Sequence, residues 1–104
     1  MLSCLKYNVI AMQKLIVKNF WSHDSGESNI QISLLKDLQS LFKARVVFEH
    51  INVDENTEEA EKYNIKILPT IILEYDGKER ERFNGLTQQL FLKKAIKRAL
   101  SEIR

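Results

Sequence analysis

Ser25 and Ser28 stand three residues apart in the segment Ser25-Gly26-Glu27-Ser28, directly after His23 and Asp24. A serine hydroxyl ionises too weakly to act as a nucleophile without an activating base. A serine hydrolase supplies that base, holds it with an acid and places an oxyanion hole opposite. His23 and Asp24 are neighbours in the chain, so their side chains do not easily converge on one serine. The segment therefore does not predict a hydrolase, and His23 is interpreted as a solvent-facing turn residue.

The sequence lacks the residues for a metal site, a phosphate-binding loop or an internal disulfide. The chain has two histidines, far apart in sequence, and one cysteine, Cys4, which do not form a convincing set of metal ligands. Its three glycines are scattered, so there is no glycine-rich phosphate-binding loop. The sequence therefore predicts no metal site and no cofactor. A single cysteine cannot form an internal disulfide.

The composition is that of an ordinary globular domain. A chain of 104 residues is one domain by size, and its hydrophobic content of 44% supports a real core. The net charge is +2, and the charges alternate in sign along residues 78–82, which indicates a solvated strand face rather than a basic patch. We therefore expect no nucleic-acid partner.

The sequence pattern also predicts neither a membrane span nor a signal peptide. No apolar run reaches the length of a membrane span, so we expect no membrane partner. The first residues lack a charged start followed by a long apolar block, which argues against a signal peptide. Together with one free cysteine, this predicts a cytoplasmic protein, and we expect it to be a monomer.

Strand and helix patterns alternate around the serine segment. Residues 15–21 are mostly apolar and predict a strand buried on both faces. Leucines at helical spacing then predict a helix over about residues 28–43, with Ser28 as its N-cap. A β-rich run predicts a second strand over residues 46–53. A short helix through about Tyr63 follows, capped by Asn56 or Thr57.

A hairpin and a last helix complete the predicted domain. Pro69, the only proline, leads into a third strand over residues 70–75, and Asp76-Gly77 predicts a two-residue turn into a fourth strand over residues 79–83. Gly85 breaks that strand, and Thr87 is predicted to cap the final helix. The apolar positions of this helix keep helical spacing: Phe91, Leu92, Ala95, Ile96, Ala99, Leu100 and Ile103.

The resulting order, β-α-β-α-β-β-α, predicts an α/β fold with a four-stranded mixed sheet and helices on both faces. The first two strands are predicted to be parallel, with a right-handed crossover, and the last two to form an antiparallel hairpin. Residues 1–12 are predicted to be an N-terminal extension, able to supply a short added element, and residues 13–104 the domain.

Over residues 14–103 this layout resembles the thioredoxin family, which implies a thioredoxin fold. In that family the turn after the first core strand reads Cys-x-x-Cys, whereas Ser25 and Ser28 occupy both cysteine positions here. The resemblance also implies a cis peptide bond before Pro69. The matching pieces are Phe20-Trp21, Ile51-Asn52-Val53-Asp54, Tyr63-Asn64-Ile65, Leu68-Pro69-Thr70 and Asn84-Gly85.

The departures from the family pattern all remove redox chemistry. Thioredoxin catalysis needs a thiolate at a helix N-terminus and a second thiol that resolves the mixed disulfide. Asp24 stands where the family has tryptophan and Glu27 where it has proline, and two carboxylates there disfavour a neighbouring thiolate. The family's buried acid corresponds to Asn19 and the lysine that accompanies it to His50. The resemblance therefore implies no catalytic residue in the chain as it stands.

Three functions remain open at this point. The leading hypothesis is a redox-silent module that binds a protein or peptide in the family's groove, formed by residues 23–28, 68–70 and 84–85. The second is a thiol–disulfide oxidoreductase whose Cys-Gly-Glu-Cys motif was changed to serine. The third is a glutathione-binding protein, in which a serine hydroxyl holds the glutathione thiolate. The residues implied to contact the peptide are Trp21, Asp24, Gly26, Glu27, Leu68, Pro69, Thr70 and Gly85.

Overall fold

The computed structural model describes residues 14–103, and its elements follow one another in the predicted order. Cys4 and the predicted extension of residues 1–12 lie outside the described residues. No helix within residues 14–103 is long and apolar enough to cross a membrane. The elements are β1 (Leu15–Trp21), α1 (Gly26–Phe42), β2 (Val46–Asn52), α2 (Thr57–Lys62), β3 (Thr70–Tyr75), β4 (Lys78–Asn84) and α3 (Gln89–Glu102).

The four strands form one mixed sheet in the order β2-β1-β3-β4. β1 pairs in parallel with β2, and α1 is the crossover between them. β1 also pairs antiparallel with β3, and β3 with β4. Asp76 and Gly77 join the last two strands with positive φ angles of 56° and 74°, as a tight hairpin turn requires. The predicted sheet is confirmed.

The main core lies between one face of the sheet and the helices α1 and α3. Side chains alternate along a strand, so Leu15 and Val17 of β1 face this core while Lys18 and Phe20 face the other side. On that other side, Glu59 of α2 lies 3.6 Å from the Lys18 Nζ. The sheet is therefore covered by helices on both faces. The helical core residues are Leu35, Leu38, Phe42, Leu92, Ala95, Ile96 and Leu100.

The start of α1 differs from the prediction. The helix begins at Gly26, and its N-cap is Ser25, whose Oγ accepts a hydrogen bond from the Ser28 N–H at 3.1 Å. Ser28 lies in the first turn and is fully buried, so its prediction as the cap was wrong. Either serine is a good cap by residue type, and burial of Ser28 beneath the turn decides between them.

The start of α3 also differs. Its N-cap is Gln88, which makes no side-chain capping hydrogen bond, so the prediction that Thr87 caps the helix was wrong. The Thr87 hydroxyl instead donates to the carbonyl of Gly85 at 3.1 Å. Phe91 keeps helical spacing but lies beside the buried stripe, with 56% of its surface exposed.

Candidate functional site

Three loops meet at one end of the sheet. The first, residues 22–25, follows β1; the second, residues 64–69, precedes β3; the third, residues 84–89, runs from the end of β4 to the start of α3. Phe20 at the end of β1 pairs with Thr70 at the start of β3, which in turn pairs with Asn84 at the end of β4. The Gly85 N–H donates to the Pro69 carbonyl at 2.8 Å, which joins the second and third loops directly. The segments that sequence and resemblance assign to the groove are therefore brought together in space.

Gln31 ties α1 to the third loop. Its side chain is fully buried, and its amide Nε2 donates to the Thr87 carbonyl at 3.0 Å while its Oε1 accepts from the Thr87 N–H at 2.8 Å. The sequence analysis missed this residue. The available signal was a glutamine four residues before Leu35 on an otherwise apolar helical stripe.

Replacement of this amide should loosen the groove. Gln31→Leu fills the same space but leaves both backbone groups of Thr87 without partners, and each buried unpaired group costs about 1–3 kcal/mol. We expect a loss of about 2–4 kcal/mol in the free energy of unfolding, with faster hydrogen exchange at the Thr87 amide. Urea unfolding and amide exchange measure the two effects.

Ser33→Leu is the matched control, since Ser33 is a polar residue on the same helix but is exposed. It should cost less than about 1 kcal/mol. Equal losses for the two variants would show that the Gln31 amide does not fix the loop.

Residues 22–28 form a turn, here called the serine turn, whose serine hydroxyls hold its backbone in place. The Ser25 Oγ caps α1, and the Ser28 Oγ accepts from the Ser22 N–H at 3.4 Å. The Ser22 hydroxyl donates to the Asp54 carboxylate at 2.6 Å, a contact that the sequence analysis also missed. Neither Ser25 nor Ser28 has a histidine partner among the described residues.

His23 and Trp21 flank this turn. The two rings meet edge to face with centroids 4.6 Å apart. His23 is exposed, as its interpretation as a turn residue requires. The Trp21 indole Nε1 is buried and has no hydrogen-bond partner among the described residues. Trp21 therefore forms the inner edge of the turn.

Asn19 and His50 form a neutral pair beneath α1. They lie side by side on β1 and β2, and the Asn19 Nδ2 is 3.2 Å from the His50 Nδ1. The His50 Nε2 is 3.1 Å from the Gln39 Oε1, so one neutral tautomer, protonated at Nε2, satisfies both contacts. Burial lowers the pKa of His50 below its ordinary value, which favours that neutral form.

Asn19 does not provide a proton acceptor behind the turn. The Asn19 Oδ1 is buried and has no partner in the described part of the chain. An amide cannot take up a proton as the carboxylate implied by the family pattern would. The core behind the turn therefore contains no acid–base group at this position.

A charged cluster lies on the opposite face of the sheet, away from the groove. The Lys18 Nζ is 3.5 Å from the Glu74 carboxylate, 3.6 Å from that of Glu59 and 3.7 Å from that of Glu49. It also lies over the Tyr63 ring, 4.7 Å from the centroid. The Tyr63 hydroxyl donates to Glu74 at 2.5 Å. Sequence analysis missed this cluster, whose signal was a lysine within an apolar strand.

These contacts shift the pKa values of the Lys18 ammonium and the Tyr63 phenol. Burial alone lowers the pKa of Lys18, but the Tyr63 hydroxyl and the carboxylates of Glu74 and Glu49 outweigh it, so the pKa is raised. Burial raises the pKa of Tyr63, and its hydrogen bond to Glu74 adds to that effect. Lys18 therefore stays charged at neutral pH, which suits a stabilising cation and not a nucleophile.

Within residues 14–103, no group of three or more His, Cys, Asp and Glu side chains is placed to hold a metal ion. The side chains at the site are the hydroxyls of Ser22, Ser25 and Ser28 and the carboxylates of Asp24, Glu27 and Asp54.

A family model described as thioredoxin matches residues 4–98 of the chain. The chain belongs to the thioredoxin family. The resemblance seen in the sequence is thereby confirmed, and the described sheet and helices form a thioredoxin fold.

Individual relatives agree with this assignment. Thioredoxin of Chlamydia pneumoniae is 33% identical over 82 residues, which cover 79% of each chain. A solved structure of thioredoxin-2, described as a component of malaria parasite protein secretion machinery, has a TM-score of 0.79 and 26% identity over 82% of each chain. The germline-specific thioredoxin Deadhead of Drosophila melanogaster, at 22% identity, shares the fold with a TM-score of 0.79 over 94% of this chain and 93% of its own.

This member of the thioredoxin family lacks the cysteine pair. Its one cysteine is Cys4, and the two positions of the motif carry serine. The peptide bond between Leu68 and Pro69 is cis. Gly85 has a φ of 93°, a backbone conformation that residues other than glycine rarely adopt.

The residues that the resemblance assigns to peptide contact differ in solvent exposure. Asp24, Gly26 and Glu27 are exposed on the turn. Leu68 is partly buried, and Pro69 and Thr70 are buried. The structure adds two apolar side chains that sequence analysis did not single out, Ile67 and Leu86, which are 51% and 41% exposed.

Proposed function

We propose that this thioredoxin-family protein binds extended peptide segments in its groove and does not exchange thiols with disulfides. The observation that carries the proposal is the backbone of Leu68. Its N–H and C=O make no hydrogen bond within residues 14–103, although the neighbouring Pro69 carbonyl is paired with Gly85. A free donor and a free acceptor on one residue are what an added strand needs.

The surroundings of Leu68 suit a peptide side chain. Ile67 and Leu86 each lie beside a groove segment and expose a large apolar surface. Gln31 and Gly85 fix the loops that carry them. A preorganised groove binds a peptide without first ordering its own loops, which lowers the entropic cost of binding.

The second half of the proposal concerns redox chemistry. A serine hydroxyl lacks the acidity and the redox reactivity of a thiol. Both hydroxyls of the motif contact backbone N–H groups, and Asn19 provides no proton acceptor behind them. Each of these features supports binding without exchange.

Amide chemical-shift mapping with a library of extended peptides tests the groove. Bound peptides should shift the amides of Ser25, Thr70 and Gly85 together, since these residues lie on the neighbouring loops that form the proposed groove. The control is the same peptide methylated at its central backbone nitrogen, which cannot donate to the Leu68 carbonyl and should bind more weakly. Absent or scattered shifts would contradict the proposal and favour the oxidoreductase whose motif was changed to serine.

A further inference from the structure

We infer that the groove selects segments in which an apolar residue is flanked by lysine or arginine. The inference rests on the proposed function and names the partner class for the same groove. Carboxylates surround the serine turn, and apolar side chains lie beside the second and third loops. A basic, partly apolar segment satisfies both parts of this surface.

The acidic part comes from three side chains. Asp24 and Glu27 are exposed on the turn itself. Asp54 approaches from the end of β2, where it accepts the Ser22 hydroxyl at 2.6 Å. The Asp24 N–H lies 3.3 Å from the same Ser22 oxygen, so Asp24 and Asp54 are held on the same part of the turn.

Few cations oppose this charge. Residues 84–89 of the third loop carry no charged side chain. Lys66 is the one cation in the second loop, residues 64–69. The N-terminal end of α1 contributes a partial positive charge, which Glu27 in the first turn complements.

The apolar part is contributed by Ile67, Leu86 and Ile30, which are 51%, 41% and 51% exposed. Ile30 lies one helical turn after Gly26, on the same end of α1 as Glu27. An extended ligand with an apolar residue against Leu86 or Ile67 would carry its flanking residues past the carboxylates of the turn. Opposite charges there increase the association rate and set specificity.

The net charge of the protein makes the inference easy to test. The whole chain carries +2, so a long-range attraction based on net charge favours acidic peptides. A preference for basic peptides would therefore have to come from the groove. Salt should weaken it, because exposed charges are screened over about 8–10 Å at ordinary ionic strength.

The test uses three fluorescent peptides with the same central leucine, flanked by lysine, glutamine or glutamate, and measures binding by anisotropy. We expect the lysine version to bind about tenfold more tightly than the glutamate version at low salt, with glutamine between them. Asp24→Asn with Glu27→Gln should remove most of this difference while the glutamine peptide binds as before.

The matched control is Asp37→Asn with Glu102→Gln, which makes the same change in net charge outside the groove segments. It should leave the tenfold difference in place. Equal binding of the three peptides, or an equal effect of both double variants, would overturn the inference but leave peptide binding intact. Failure of all three peptides to bind would overturn the proposed function together with it.

Discussion

The double variant Ser25→Cys with Ser28→Cys is expected to close an internal disulfide under mild oxidant. Residues three apart at the start of an α-helix have Cα atoms about 5 Å apart, within the about 4.4–6.8 Å that a disulfide spans. The Ser25 Oγ already points to the first turn, 3.1 Å from the Ser28 N–H. Cysteine and serine are close in size, so the turn should keep its shape.

In the reduced double variant, we expect the thiol at position 25 to be the more acidic. The N-terminus of α1 lowers the pKa of a thiol there, while Asp24 and Glu27 repel a thiolate and oppose that effect. The thiol at position 28 replaces a fully buried hydroxyl, and burial raises the pKa of a thiol. The net result should be a thiol more acidic than free cysteine but a weaker catalyst than an ordinary thioredoxin.

Alkylation rates against pH and an insulin-reduction assay measure these outcomes. All variants should carry Cys4→Ala so that only the motif contributes thiols. The single variants Ser25→Cys and Ser28→Cys are the controls, because neither can form an internal disulfide. Adding Asn19→Asp to the double variant should raise its turnover, since a buried carboxylate can then accept a proton.

Two results would change the conclusions. A double variant that cannot close its disulfide would show that Ser25 and Ser28 are not at the family's cysteine positions. Turnover as fast as an ordinary thioredoxin would favour the oxidoreductase hypothesis over the binding module. The unmodified chain should reduce insulin at the background rate.

The second large effect is expected at Lys18. Its side chain and that of Glu74 are both only 10% exposed and lie 3.5 Å apart. Lys18→Met should lower the free energy of unfolding by about 3 kcal/mol, because it leaves the Glu74 charge buried without its cation. Adding Glu74→Gln removes that charge while keeping an acceptor for the Tyr63 hydroxyl, and should recover most of the loss.

Lys36→Met is the matched control, since Lys36 is exposed and lies on α1, outside the cluster. It should change stability by no more than about 0.5 kcal/mol. Urea unfolding of the four proteins gives the comparison. A Lys18 variant no less stable than the Lys36 variant would show that the cluster contributes no net stability.

The same cluster predicts a loss of stability at alkaline pH. The folded-state pKa of Tyr63 is raised above its ordinary 10.0, and that of Lys18 is raised above 10.5. A group whose pKa is raised by folding stabilises the folded protein fully when the pH is below its unfolded-state pKa. That contribution to the free energy of unfolding is lost as the pH rises through its folded-state pKa. The wild-type protein should therefore lose stability as the pH rises above 10, which urea unfolding at a series of pH values measures. Lys18→Met should remove the part of this loss that comes from Lys18 and keep the part that comes from Tyr63.

The fold was largely predictable because most of its elements follow local rules. The apolar run of residues 15–21, the Asp76-Gly77 turn and the helical leucines each specify one local structure. The first residue of a helix was harder to predict than the helix itself. Ser25 and Ser28 are equally good caps by type, and only the burial of Ser28 under the turn distinguishes them.

The groove was predictable in outline through the resemblance, but its supports were not. Gln31 and Thr87 are 56 residues apart, and their contact depends on how α1 packs on the sheet. Lys18 and Glu74 meet because β1 and β3 are adjacent and antiparallel. Contacts of this kind are set by tertiary packing, which no local pattern of residue types specifies.

The hydroxyls of Ser25 and Ser28 hold their turn with hydrogen bonds alone. A cysteine pair at the same positions would have two covalent states, one bridged and one open, and the surface offered to a partner would change between them. The serine turn has a single state. A partner bound there would meet the same surface in reducing and in oxidising surroundings, so its affinity should not follow the redox potential around it.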